Sequence, residues 1–182
     1  YSFWLGNNKE FKTDILRFEY TSLVTPITIF DYDMNIRKKE LKKQYEVKGG
    51  YNTEDYITER IFAKDPNGIN IPISIVYKKD IQKDGDNPLL LYGYGAYGSS
   101  MKTYFSSPRL SLLDRGFIFA LAHIRGGGEL GEEWYQDGKL LKKKNTFNDF
   151  IICAECLISK GYTSKDKLII EGGSAGGLLV GA

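Results

Sequence analysis

Three short apolar runs organise the chain: Pro88-Leu-Leu-Leu-Tyr92, Phe117-Ile-Phe-Ala-Leu-Ala122 and Leu168-Ile-Ile170. Each is bounded by turn-forming residues, and each predicts a strand of the kind found inside a parallel sheet. Between the first two, Leu110 to Arg115 reads as a short helix ended by Gly116. Between the last two, Phe147, Phe150, Ile151, Ala154, Leu157 and Ile158 recur at the helical period, and Gly161 closes the helix. Thr146-Phe-Asn-Asp149 predicts a capping-box-like start, with the acid reaching back to free N–H groups. From Pro88 onward the rhythm is β, α, β, α, β, which predicts an α/β fold with a parallel sheet.

The first part of the chain has a different pattern. Tyr1 to Leu5, Ile15 to Tyr20, Thr25 to Asp31 and Lys38 to Val47 read as short strands separated by turns such as Gly6-Asn7-Asn8 and Asp33-Met34-Asn35. Strands at this spacing suit a sandwich, a barrel or a propeller blade. One blade cannot bury its own faces, so residues 1–48 are expected to belong to something larger, or else to form a small β extension. Lys48-Gly-Gly-Tyr-Asn52 reads as a hinge-like break. Then Tyr56 to Ala63 and Ile69 to Tyr77 form a hairpin around Asp65-Pro-Asn-Gly68. Ile69, Ile71, Ile73, Ile75 and Tyr77 are predicted to share one face. The expected division is a β segment over 1–48 and an incomplete catalytic domain over 49–182.

Composition sets outer limits. The 182 residues are 42% hydrophobic and 26% charged, enough for a domain with its own core. The net charge of +2 argues for neither nucleic acid nor a membrane surface as partner. No apolar run approaches the ~20 residues that span a bilayer, and no secretion signal opens the sequence, which begins at Tyr1. Cys153 and Cys156 form Cys-x-x-Cys inside the predicted helix, not at its start. They therefore read as reduced packing residues, which fits a cytoplasmic protein.

The chemistry gathers at Glu171-Gly-Gly-Ser-Ala-Gly-Gly177. A strand, a turn with Gly-x-Ser-x-Gly and an apolar helix start describe a nucleophile elbow. Small residues are needed there because strand and helix come close, and the serine sits in a strained backbone. Ser174 is the candidate nucleophile, and the N–H of Ala175 stands at a helix start where it can stabilise an oxyanion. The alternative is a glycine-rich turn with a bystander serine; the strand before and the helix after favour the nucleophile. Gly93-x-Gly95-x-x-Gly98 and Gly126-x-Gly128-x-x-Gly131 both fit a dinucleotide fingerprint. Neither opens an amphipathic helix or leads to an acid at the end of the next strand in the right place, so no nucleotide is expected. Lys139 and Lys142-Lys143-Lys144 read as a solvated face. No cofactor or metal is implied.

Several blocks then follow one another in a single order: Leu90-Leu-Tyr-Gly-Tyr-Gly-Ala-Tyr-Gly98, Arg109-Leu-Ser-Leu-Leu-Asp-Arg-Gly-Phe117, His123-Ile-Arg-Gly-Gly-Gly-Glu-Leu-Gly131, Gly138 to Asp149, and Gly172-Gly-Ser-Ala-Gly-Gly177. Together they resemble the prolyl oligopeptidase family of serine peptidases, and within it the oligopeptidase B (protease II) branch. The resemblance implies an α/β-hydrolase fold, here truncated, preceded by the end of a β-propeller. It implies that Ser174 attacks a scissile carbonyl, with the Ala175 N–H and the Tyr94 hydroxyl as oxyanion hole. Tyr94 also lies just past a strand, in the loop that supplies the second donor in such folds, though it could simply pack in a turn. The implied substrates are short peptides cut after Arg or Lys. Arg125 and Glu129 would be structural. Lys102 stands where some relatives carry acids, a departure from the family pattern at that position.

In this family the catalytic Asp and His follow the serine, and only eight residues follow Ser174 here. The single histidine, His123, lies upstream and has no base role by resemblance. A serine without a positioned base is a weak nucleophile. The expectation is therefore a half-site that works only with the rest of the protein, in one chain or as a fragment complemented by a chain carrying the Asp and His. The alternatives are an inactive split-gene or degenerate fragment, and an esterase of the same fold. Strand 168–171 is expected to expose an apolar edge.

Overall fold

The computed structural model describes every residue from Tyr1 to Ala182. The chain forms two compact units, Tyr1–Tyr56 with Lys102–Leu110, and Ile57–Met101 with Ser111–Ala182. The short second piece of the first unit is a return of the chain that the sequence pattern did not signal.

The first unit holds a four-stranded sheet of β1 (Ser2–Leu5), β2 (Ile15–Thr21), β3 (Thr28–Asp33) and β4 (Lys38–Gln44). The strands lie in chain order and every neighbour is antiparallel. Alternation explains its packing. Phe18 and Phe30 are directly paired and stack with ring centres 5.4 Å apart, while polar β4 is exposed along its whole length. The amide of Phe105 donates to the buried Thr21 hydroxyl at 3.1 Å, which ties the returning segment to β2.

The second unit is built on a five-stranded sheet of β5 (Tyr56–Lys64), β6 (Asn70–Lys78), β7 (Leu89–Tyr92), β8 (Ile118–Ala122) and β9 (Leu168–Glu171). Their spatial order is β5-β6-β8-β7-β9. The three apolar runs are β7, β8 and β9, and both β7–β8 and β7–β9 pair in parallel, while β6 runs antiparallel to β8. Every residue of β8 is buried. β9 is the edge of the sheet, with Ile169 46% and Ile170 45% exposed.

The helices are α1 (Ser107–Leu113), α2 (Glu132–Gln136), α3 (Lys144–Ser159) and α4 (Ala175–Gly181). None is long and apolar enough to cross a membrane.

Two expectations are corrected. Ile71, Ile73, Ile75 and Tyr77 are buried as expected, but so are the positions between them, so β6 is enclosed on both faces. Its second face carries Ser74, whose Oγ lies 2.9 Å from His123 Nε2, so a polar residue that reads as surface is satisfied inside.

The second correction concerns α3. It begins at Lys144, after a 3-10 turn at Leu140–Lys142, so Thr146 and Asp149 lie inside the helix and cap nothing. Both are completely buried: the Thr146 hydroxyl bonds the Arg125 carbonyl at 2.7 Å, and Asp149 binds the Arg125 side chain. The buried face of α3 is accordingly Thr146, Asp149, Phe150, Cys153 and Leu157, with Ile151 turned out at 55% exposure. At the other end Gly161 donates to Ile158 and Tyr162 to Leu157, both at 3.0 Å, closing the helix as a Schellman turn. Cys153 is buried, Cys156 half-buried, and both are free thiols. Burial pushes both thiol pKa values up, that of Cys153 well above its ordinary value.

Candidate active site

Ser174 sits alone at the tip between β9 and α4, with φ 55° and ψ −116°. A non-glycine residue with positive φ is strained, and such strain persists only where its surroundings hold it. Two glycines do the holding. A Cβ on Gly172 would overlap the Gly176 carbonyl. One on Gly176 would stand 2.5 Å from the Gly93 carbonyl oxygen and 3.4 Å from Tyr94 Cα. The turn is thus closed on itself and pressed against the loop that follows β7. The other two glycines are not required by space: the nearest atom to a Cβ on Gly173 would be the Tyr92 hydroxyl at 3.9 Å, and on Gly177 the Gly172 oxygen at 3.6 Å. Ser174 is exposed, and Ala175, as the first residue of α4, has no carbonyl one turn back within the helix for its N–H.

The three residues singled out in the sequence lie on adjoining stretches of backbone at the carboxyl end of β7 and β9. Tyr94 is half-buried two residues past β7, and its backbone abuts the start of α4. The loop is tied at several points: the Gly93 amide donates to the Glu171 carbonyl at 3.1 Å, and the Gly98 amide to the Gly126 carbonyl at 3.0 Å. Lys143 Nζ donates to the Gly95 carbonyl at 2.5 Å.

The two glycine runs that imitate a dinucleotide fingerprint are packed into each other. A side chain on Gly126 would overlap the Gly95 carbonyl, and one on Gly128 the Gly98 carbonyl. Their glycines permit loop-to-loop contact, and the backbone surfaces a pyrophosphate would need face one another instead.

A buried polar network supports this end of the sheet. The Arg125 guanidinium donates to both oxygens of Asp149 and, at 3.2 Å, to Asp65. Asp65 Oδ1 in turn accepts the Asn67 and Ile69 amides of the hairpin turn. Burial alone would raise the Asp65 pKa, but these amides and Arg125 outweigh it and hold the carboxyl below its usual range. Hydrogen bonding to Asp149 raises Arg125 further, against burial.

His123 is only 3% exposed: Nε2 meets Ser74, and Nδ1 lies 3.6 Å from Glu129 Oε1. Glu129 also accepts the Met101 amide at 2.9 Å. His123 is thus an internal residue of the end of β8. Sequence reasoning missed Asp65, Asp149, Ser74 and Lys143, because each takes a partner 24 or more residues away. Only the block order around Arg125 and Glu129 hinted at them.

Residues 103–182 match the prolyl oligopeptidase family. Dipeptidyl aminopeptidase BI of Pseudoxanthomonas mexicana is 49% identical over 183 residues, taking in 100% of this chain and 25% of that protein. The chain belongs to the prolyl oligopeptidase family. Protease 2 of Moraxella lacunata is 41% identical over 97% of this family member and 26% of its own length. The structure of oligopeptidase B from Trypanosoma brucei with covalently bound antipain, in its closed form, superposes with a TM-score of 0.92 at 44% identity. That match covers 99% of this chain and 26% of the other. The chain thus spans about a quarter of the length of the curated relatives it matches.

Proposed function

We propose that these residues form the nucleophile-and-oxyanion half of a serine oligopeptidase site. The observation that carries the reading is Ser174 at φ 55°, exposed at the tip of a turn closed by Gly172 and Gly176. In this reading the Ser174 Oγ attacks a peptide carbonyl as its proton passes to a base. The carbonyl oxygen becomes an oxyanion held by the Ala175 N–H and the Tyr94 hydroxyl. Collapse of the tetrahedral intermediate expels the amine and leaves an acyl-serine, which water then hydrolyses. The base and the acid that orients it come from outside these 182 residues, since His123 is sealed against Ser74 and Glu129. The sheet is the first part of an α/β-hydrolase fold, and the four-stranded sheet is the last blade of a propeller. The substrates are short peptides cut after Arg or Lys, and the two free thiols fit a cytoplasmic setting.

The test uses a serine-directed phosphonate and an arginyl-peptide amide, on the purified chain and on the intact protein that carries it, with Ser174→Ala as control. The expected result is labelling and turnover in the intact protein that vanish in the variant, and neither in the chain alone. Labelling of the chain alone would mean that it contains a base and would reopen the case for His123. An intact protein inert to both reagents would sink the peptidase reading in favour of a non-catalytic fragment. A preference for arginyl amides over simple esters would count against an esterase.

A further inference from the structure

Of the four lysines between Gly138 and Asn145, one gives its ammonium to a distant peptide oxygen. Lys139 is half-buried with its ammonium over the Tyr135 ring, Lys142 pairs with Asp137 at 2.7 Å at the surface, and Lys144 is exposed. Lys143 is half-buried, and its ammonium donates to a peptide oxygen, the carbonyl of Gly95. Burial lowers its pKa. Its position is also unfavourable for the helix, because a cation immediately before α3 opposes the positive end of the helix dipole. A long side chain that is partly desolvated, ordered and placed against a dipole is costly to the fold. Its use therefore lies in what Nζ holds.

What it holds is the residue after Tyr94. Gly95 has φ 64°, and a Cβ there would collide with the methyl of Thr146 and with Ile124. Lys143 and Thr146 are three residues apart at the start of α3 and so lie on one face of it. Thr146 is itself locked by its bond to the Arg125 carbonyl. The Gly95 peptide is thus gripped from the α3 side by a rigid pair, one contact steric and one a charge-assisted hydrogen bond. The Gly93 amide is bound to Glu171 at the foot of the elbow, so Tyr94 is the residue between two fixed peptides.

We propose that Lys143 is a positioning residue for the oxyanion hole: by holding the Gly95 carbonyl it fixes the backbone from which the Tyr94 hydroxyl reaches the developing charge. This rests on the oxyanion role of Tyr94 proposed above. A donor aimed in advance stabilises the transition state without reorganising, so a loosened loop costs rate and not substrate affinity.

The test is a double-mutant cycle in the intact protein with an arginyl-peptide amide. Lys143→Met is expected to lower kcat about 10- to 50-fold with KM within about twofold, and Lys143→Arg to restore most of it, while Lys144→Met changes neither. Tyr94→Phe alone is expected to cost about 100-fold or more. The deciding figure is the double variant, which should lie within about twofold of Tyr94→Phe, because Lys143 has nothing left to aim. Full additivity, or an unchanged kcat in Lys143→Met, would overturn the proposal. If Lys143→Met fails to fold by circular dichroism, the cycle is run with Lys143→Gln under the same criteria. If Tyr94→Phe keeps full activity, the oxyanion role of Tyr94 falls and takes this proposal with it. Loss of the Tyr94 effect and loss of coupling are therefore separate readings.

Discussion

The parallel strands β7, β8 and β9 end among glycines and a strained serine, and they begin among interlocked polar side chains. At the carboxyl end, backbone meets backbone: Gly126 on Gly95, Gly128 on Gly98, Gly176 on Gly93. At the amino end, Glu59 accepts hydrogen bonds from Tyr77, Tyr162 and Lys83, and the Lys83 ammonium lies 4.6 Å from the centre of the Tyr162 ring. The first end gains close approach at the cost of backbone freedom and has little slack. The second is an adjustable clamp of long side chains, partly open to water. The contrast teaches where this unit tolerates change: the end that would do chemistry is the end that cannot yield.

The sharpest way to break that contrast is at Arg125. Arg125→Met leaves the carboxylates of Asp65 and Asp149 buried without their shared cation, and should cost about 3–5 kcal/mol in urea unfolding. A loss below about 1 kcal/mol would mean that the carboxyl end relaxes as easily as the other. Next comes a paired test at the elbow. Gly176→Ala should cost about 2 kcal/mol, because its Cβ meets the fixed Gly93 carbonyl, whereas Gly173→Ala should cost under about 0.5 kcal/mol. Equal costs at the two positions would show that the turn, not the close approach, sets the demand for glycine.

At the amino end the expected effects are smaller. Glu59→Gln should cost about 1 kcal/mol near neutral pH, discounted because Glu59 and Lys83 are partly solvated. Burial would raise the Glu59 pKa, but the bonds from Lys83, Tyr162 and Tyr77 outweigh it and hold it low. The same cluster raises Lys83 against burial, and burial with Glu59 pushes Tyr162 up to about 12. The Glu59 contribution is therefore complete above its unfolded pKa of about 4.3 and fades as pH falls through the lower folded value. The Lys83 contribution is complete below about 10.4 and fades as pH rises through the higher folded value. Melting temperatures of wild type and Glu59→Gln should differ most between about pH 5 and pH 10, and converge on either side. A gap that does not vary with pH would remove the charge from the account. Smallest of all, Lys167→Ala deletes an exposed pair with Asp86 and should leave the melting temperature unchanged.

The two ends also differ in how far they can be read from sequence. The strands β7 and β8 and the elbow are written locally, in apolar runs and in Gly-x-Ser-x-Gly, and they form where the pattern places them. The supports of the elbow are not local. Thr146 and Asp149 carry the spacing of a capping box, yet they turn to Arg125, more than 20 residues back, because a buried guanidinium needs a carboxylate more than a helix start needs a cap. Ser74 looks like the wet side of a strand until His123 meets it. Lys143 looks like one charge in a run of four until Gly95 meets it. Periodicity reports which face is greasy; it does not report which distant polar atom will arrive to satisfy an odd residue.

The two thiols of α3 have a practical consequence. Cys156 is partly open to solvent, while Cys153, one turn earlier, is wholly enclosed and resists ionisation. A water-soluble alkylating reagent would therefore mark Cys156 in the closed protein and reach Cys153 only during excursions in which α3 lifts from the sheet. Followed by mass spectrometry, the lag between the first and second adduct becomes a stopwatch on that lifting. The native sequence thus carries its own probe for the helix that packs against the Gly93–Gly95 loop.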